Sequence, residues 1–186
     1  TFDNLVEVVG SVHHPTDMSG GPFPVIVLLH GRHSAMYNPG TNATSNSWPP
    51  SGSFIGIPSY DGYDFLASHL ASHGYIVISV SANAISASDN GDSFGDYGMQ
   101  ARGELIQHHL DLWNGWNTSD ATGPFGTDFV GKLDLTNVGT LGHSRGGEGV
   151  ITHALHNEDL GRPYGVNAVF TLAPVDFNRP IVTGIP

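Results

Sequence analysis

In the stretch "TLGHSRGGEG", Thr140 to Gly149, one serine stands with glycines two residues before it and two after it. A serine hydroxyl is a weak nucleophile unless a base takes its proton, a third group orients that base, and N–H donors meet the developing oxyanion. Gly142-His143-Ser144-Arg145-Gly146 fits G-x-S-x-G. In that pattern the serine sits on a sharp strand-to-helix turn, with its Oγ held above the strand ends. Side chains at 142 and 146 would collide with neighbouring backbone, so both positions call for glycine. The N–H of Arg145, at the start of the new helix, would point at an oxyanion. The chemistry such a constellation serves is acyl transfer through a covalent serine intermediate. A plain Gly-rich turn is the competing reading. The predicted strand before the motif, the helix after it and His30-Gly31 at the end of an earlier strand favour the nucleophile.

The elements that must position Ser144 follow from apolar patterning. Leu5 to Val12 alternates apolar and polar residues and stops at Pro15, which predicts a strand exposed on one side. Val25–Leu29, "VIVLL", is continuously apolar and β-branched at its start, as in a parallel strand buried on both faces. Arg32 to Ser59 reads as one long loop rich in Asn, Gly, Pro and Ser, a length usually tied to function. Its Met36, Tyr37, Trp48, Phe54 and Ile55 would form an apolar wall, and His30, Tyr37 and Trp48 are the pocket candidates. Phe65, Leu66, Leu70 and Ala71 follow helical spacing up to a C-cap at Gly74. Tyr75–Val80 is another buried strand, and Ser81–Tyr97 a second polar loop. Met99 to Trp116 is an amphipathic helix. "NVGTLG" is the strand entering the serine motif, Gly146 onward its helix, and Val166 to Asp176 a last buried strand. The order β, β, α, β, α, β, α, β predicts one α/β domain over 1–186 with a mainly parallel sheet.

Composition sets bounds. Hydrophobic residues at 39% with nine Phe, six Tyr and three Trp support a packed core rather than disorder. Seventeen acids against six bases give a net charge of −11, which excludes a basic face for nucleic acid or an anionic membrane. With no cysteine there is no disulfide or thiolate chemistry. "VIVLL" is too short to span a bilayer, no signal peptide is read, and the chain opens at Thr1 without Met, as after processing or where a longer sequence has been cut. Low Lys content and the triplets Asn42-Ala-Thr44 and Asn117-Thr-Ser119 lean towards a secreted protein.

With these features together, the chain resembles an α/β-hydrolase. "GHSRGG" is similar to the nucleophile motif of chlorophyllases and their bacterial relatives. Dienelactone hydrolases, platelet-activating-factor acetylhydrolases and cutinase-like polyester hydrolases share the layout. The resemblance spans the Val25 strand to Asp176. It implies a three-layer α/β-hydrolase sandwich with a mostly parallel sheet, and a serine esterase or lipase-like activity on a small-molecule, lipid or polyester ester. Ser144 resembles the nucleophile, and the N–H groups of Arg145 and Arg32 resemble the oxyanion donors. His30 braces the loop. Asp176 matches the triad acid, since "TLAPVD" ends the strand after the nucleophile helix and chlorophyllases have a similar Pro-Val-Asp there. The alternative is that Asp176 caps a turn and the acid lies on a later strand. No cofactor is implied.

The base departs from the pattern. The superfamily order is Ser, then Asp or Glu, then His, yet all eleven histidines precede Asp176. The last strands and the histidine loop of the resembled fold are missing from these 186 residues. His143 adjoins Ser144, but neighbouring side chains on an elbow point apart, and His33 has no support as base. The chain is expected to be either a nicked product or a truncated, inactive piece. An exposed apolar sheet edge is an aggregation hazard, which favours a companion polypeptide carrying the remaining strands and the histidine. A non-catalytic binding protein on the same fold, or a peptidase or amidase, stands as the alternative.

Other groups read as structural. His69 with His73, and His153 with His156, have helical spacing but no carboxylate beside them, so no metal site is expected. Asp89, Asp92 and Asp96 could bind Ca²⁺ but miss the EF-hand pattern, and a solvated acidic loop is the expectation. Arg102 is expected to pair with one of these aspartates, and Arg145 with Glu148 at i, i+3.

Overall fold

The computed structural model describes residues 5–89, 95–118 and 123–185. Its main sheet has five strands: β1 (Gly10–His13), β2 (Phe23–Leu29), β6 (Ile76–Val80), β7 (Leu133–His143) and β8 (Val166–Leu172). Their spatial order is β1-β6-β2-β7-β8, with β1 antiparallel and the others parallel. The helices are α1 (Asp64–Ser72), α2 (Asn83–Ser88), α3 (Met99–Thr118) and α4 (Arg145–Asp159). The result is an α/β fold with a mostly parallel sheet flanked by helices, as the sequence predicts.

Strand alternation explains why "VIVLL" is apolar throughout. Successive side chains of a strand point to opposite faces. Val25, Val27 and Leu29 join one core with Leu105, Ile106, Leu110 and Trp113 of α3 and Val150 of α4. Leu28 points the other way, into a smaller core with Val77 and Ala67 of α1. Each face of β2 therefore meets a helix layer. Of the described helices, none is long and apolar enough to cross a membrane.

Several local expectations are corrected. Residues 32–59 are not one open loop. They hold a small antiparallel sheet of β4 (Thr44–Ser45), β3 (Met36–Tyr37) and β5 (Ile55–Gly56), in that order. The predicted strand from Leu5 begins only at Gly10. Phe65 is 91% exposed, because α1 packs through the small Ala67 and Ala71 instead. Ser81–Tyr97 is not simply polar loop either, since α2 within it is buried over Asn83–Ala87. Glu7 caps that helix, its carboxylate accepting the N–H groups of Asn83 and Ala84. Val166–Leu172 is not buried on both faces. Among the described residues it pairs only with β7, and Phe170 is 58% and Leu172 49% exposed. The Asn117 amide is spent inside the fold, donating to the Leu133 carbonyl and accepting the Leu133 N–H; Ser119 of its triplet lies outside the described residues.

Candidate active site

Strand β7 ends at His143, helix α4 starts at Arg145, and Ser144 forms the turn between them at φ 54°, ψ −121°. That conformation is costly for a residue with a Cβ. It persists because the surroundings over-determine it. The Ser144 N–H donates to the Leu172 carbonyl at 3.0 Å, and the Ser144 carbonyl accepts the N–H groups of Gly147 at 2.9 Å and Val175 at 3.2 Å. Glycine is required on both sides for the expected reason. A Cβ on Gly142 would run into the Gly146 carbonyl, and one on Gly146 into the carbonyls of Leu29 and His30.

The loop after β2 lies against this turn. A Cβ on Gly31 would stand 2.9 Å from Ser144 Cβ and 2.9 Å from His143 Nδ1. The backbone leading into Arg32 therefore passes directly beside the serine side chain. On the other flank, the N–H of Arg145 is at the first position of α4, where no intrahelical carbonyl can reach it. The two expected oxyanion donors thus belong to segments that flank Ser144.

His30 is buried, and both of its ring nitrogens are engaged by backbone. Nε2 accepts the Ala82 N–H at 2.8 Å, which makes Nδ1–H the donor to the Gly31 carbonyl at 2.7 Å. It ties the end of β2 to the start of α2. Burial pushes its pKa down to about 4, so it is neutral at pH 7. His33 stacks on His30 with ring centroids 4.8 Å apart, and its Nδ1 donates to the Ser34 carbonyl at 2.6 Å. His143 is exposed. Among the described residues no histidine is hydrogen-bonded to Ser144 or to Asp176. Tyr37 lies on β3, and Trp48 packs its ring on Gly56 of β5, the closest approach being 3.5 Å to a Cβ built there. Neither ring makes a ring contact or hydrogen bond with the elbow.

Asp176 is exposed, one residue past Val175, whose N–H is bonded to the Ser144 carbonyl. The loop after it is anchored from beneath by Glu148. That carboxylate is wholly buried one helical turn beyond Ser144. It accepts the Phe177 N–H at 2.8 Å, the Asn178 N–H at 2.7 Å and the Asn178 side-chain amide at 2.9 Å. The expected Arg145–Glu148 pair is therefore absent, since Glu148 points at this loop and Arg145 turns to Asp89.

Asp89 overturns the solvated-loop expectation. Its carboxylate is wholly buried just past the C-terminus of α2 and meets guanidinium groups from three separate segments. Arg32 Nε approaches at 2.7 Å, Arg102 Nη2 at 2.7 Å and Arg145 Nη1 at 2.7 Å. The Arg102 pairing matches its expected role. Burial depresses the Arg102 pKa, and Asp89 opposes that shift. The Arg145 guanidinium also lies over the Tyr97 and Phe177 rings, 5.8 Å and 5.4 Å from their centroids. Asp96 is equally engaged, accepting the N–H groups of Gly98 and Gln100 as α3 begins. Asp92 lies outside the described residues. Among those described, no group of three or more His, Asp or Glu side chains could hold a metal, and His69 and His73 simply meet edge to face at 4.8 Å.

Sequence reading missed Asp89 and Glu148 as supports of the elbow. Asp89 meets residues 13, 56 and 57 positions away, and no local pattern announces such partners. No protein-family model matches the chain, and no curated protein matches it either.

Proposed function

We propose that this chain carries the nucleophile, the acid and the oxyanion donors of a serine hydrolase acting on carboxylic esters, built on an α/β-hydrolase sandwich. The observation that carries the reading is the backbone of Ser144, held at positive φ between a parallel strand and a helix N-terminus. Strained non-glycine residues cluster at sites of chemistry, and this one is presented beside two segments with N–H groups to offer.

In the proposed cycle Ser144 Oγ attacks the ester carbonyl carbon, and a histidine imidazole takes its proton. The N–H groups of Arg145 and Arg32 stabilise the tetrahedral oxyanion. The carbon–oxygen bond to the alcohol breaks as the imidazolium protonates the leaving oxygen, giving an acyl-Ser144. Water, deprotonated by the same imidazole, attacks the acyl carbon, and Ser144 leaves with the proton. Asp176 orients the imidazole. The histidine comes from residues outside these 186. Among the described residues β8 is paired on one side only and carries exposed Phe170 and Leu172 on one face, which supports further strands docking at its edge.

The test is made on protein isolated natively with everything that remains bound to it. Denaturing gels and intact mass are expected to reveal a companion polypeptide or a longer chain. A fluorophosphonate probe is then expected to modify Ser144, and the Ser144→Ala variant to stay unlabelled. A complete assembly without an adduct on Ser144 overturns the reading.

A further inference from the structure

We infer that Asp89 is a positioning residue: one buried carboxylate that fixes, through the Arg32 and Arg145 side chains, the two backbone segments offering N–H groups to the oxyanion. The inference rests on the serine-hydrolase reading and goes beyond it, because it assigns a role to residues remote in sequence from the elbow.

The two proposed donors come from unconnected places. Arg32 follows β2, and Arg145 opens α4. An oxyanion hole works only when both N–H groups sit about 3 Å from the same point. Something must therefore set the distance between the two segments. Gly31 lets them touch, but a glycine contact leaves the approach free to open. Asp89 closes it. Its Oδ1 accepts from Arg32 Nε at 2.7 Å and its Oδ2 forms an ion pair with Arg145 Nη1, also at 2.7 Å, so one planar group tethers both sides. The Asp89 carbonyl accepts a further bond from Arg145 at 3.0 Å.

Asp89 is itself held. Arg102, wholly buried, donates to Oδ2 at 2.7 Å while its Nη1 donates to the Tyr97 and Gly98 carbonyls. The Asp89 N–H continues α2 by donating to the Ile85 carbonyl. In a water-poor interior charge-assisted bonds are short and directional. Two of them on one carboxylate, with the Arg145 ion pair beside them, leave it little freedom to rotate. Neither Arg32 nor Arg145 needs its side chain in the reaction. Each contributes its backbone N–H, and its side chain acts as a tether.

That division of labour supplies the test. Arg32→Ala and Arg145→Ala keep both N–H groups and delete one tether each, and these side chains are 30% and 15% exposed, so the variants are expected to fold. Asp89→Asn weakens every tether at once. Hydrolysis of a p-nitrophenyl ester by the complete assembly is measured with each variant, alongside circular dichroism. The expected result is kcat lowered about ten- to hundredfold in each, the scale of a misplaced donor, with KM nearly unchanged. The Asp89→Asn/Arg145→Ala double variant is expected to be little worse than the poorer single one. Arg145→Lys, which restores a cation near Asp89, is expected to recover part of the loss. Should Asp89→Asn not fold, the two arginine variants still decide the matter. Wild-type kcat in folded Arg32→Ala and Arg145→Ala, with Ser144 still labelled by the probe, overturns the inference and leaves the hydrolase reading standing. No labelling of wild-type Ser144 overturns both.

Discussion

Replacing Glu148 by Gln changes one atom and leaves the shape of a wholly buried side chain intact, so its effect isolates the carboxylate. In the wild type Oε1 accepts from the Asn178 N–H and side-chain amide, and Oε2 from the Phe177 N–H. Gln keeps one oxygen. Facing Asn178, it preserves two of the three bonds but presents its NH₂ to the Phe177 N–H, donor against donor. Turned the other way it loses two. The better choice forfeits one charge-assisted bond and leaves a buried donor unmet, together about 3 kcal/mol. For a chain of this length that is a melting temperature lower by roughly 6–12 °C. Glu148→Ala leaves all three donors without an acceptor and is expected to melt lower still. Because Asp176 precedes Phe177, releasing the loop also frees the proposed acid, and kcat for ester hydrolysis is expected to fall about tenfold. Calorimetry and steady-state kinetics on the complete assembly measure both. A Glu148→Gln melting temperature within about 2 °C of wild type refutes the energetic reasoning. A large drop in melting temperature with kcat unchanged refutes the link to Asp176.

Ser144→Gly is expected to abolish probe labelling yet raise the melting temperature by about 2–4 °C, because glycine adopts φ 54° without the strain and repays only part of it as chain entropy; a lower melting temperature argues against strain at the elbow. Stability is also expected to depend on pH through His30, His109 and His153, which burial holds near pKa 4, 4 and 3 against 6.5 when unfolded. Since the unfolded chain binds more protons as pH falls towards and through 6.5, stability is flat only well above that value; it drops by about 1 kcal/mol by pH 6.5 and by up to about 4 kcal/mol at pH 5.5 for the three together. Urea denaturation from pH 7.5 to 5.5 checks this, and a flat profile contradicts neutral burial of these rings.

The parts of this fold legible in the sequence are those whose cause is local. "VIVLL" reads as a doubly buried strand because each residue must be apolar when helices cover both faces, and its side chains do divide between two cores. The elbow is legible for the same reason, since Gly142 and Gly146 are demanded by backbone within a few residues. Phe65 misled because helical spacing says which residues share a face, whereas the closeness of α1 to the sheet selected the small Ala67 and Ala71. β8 misled because its composition suits a central strand, while among the described residues it has a partner on one side only. Two-residue strands such as Met36–Tyr37 carry no periodicity to find. Asp89 was illegible for a sharper reason. An acidic residue among Asn, Gly and Ser has the composition of a solvated loop, and only the distant Arg32, Arg102 and Arg145 make burial of its charge affordable.

That cluster bears on the choice between an enzyme and a scaffold that merely keeps the fold. Burying charges is weak evidence for stability, since desolvation offsets most of the attraction and well-packed apolar groups often do as well. Arg102 and Asp89 are wholly buried, and Arg145 is part-buried. Ser144 adds backbone strain at the same place, and Glu148 adds a second buried carboxylate one turn further along α4. In a scaffold, apolar residues with an unstrained turn would hold the layers together at lower cost. Geometry is what the arrangement provides and apolar packing does not. Asp89 ties the two segments that flank the serine, and Glu148 ties the loop that follows Asp176. A buried carboxylate bonded to the residue after Ser144, a second one a turn further along α4 and the strained serine itself are what the proposed hydrolase site would call for, since it would hold N–H groups and an acid in fixed places while a charge develops between them.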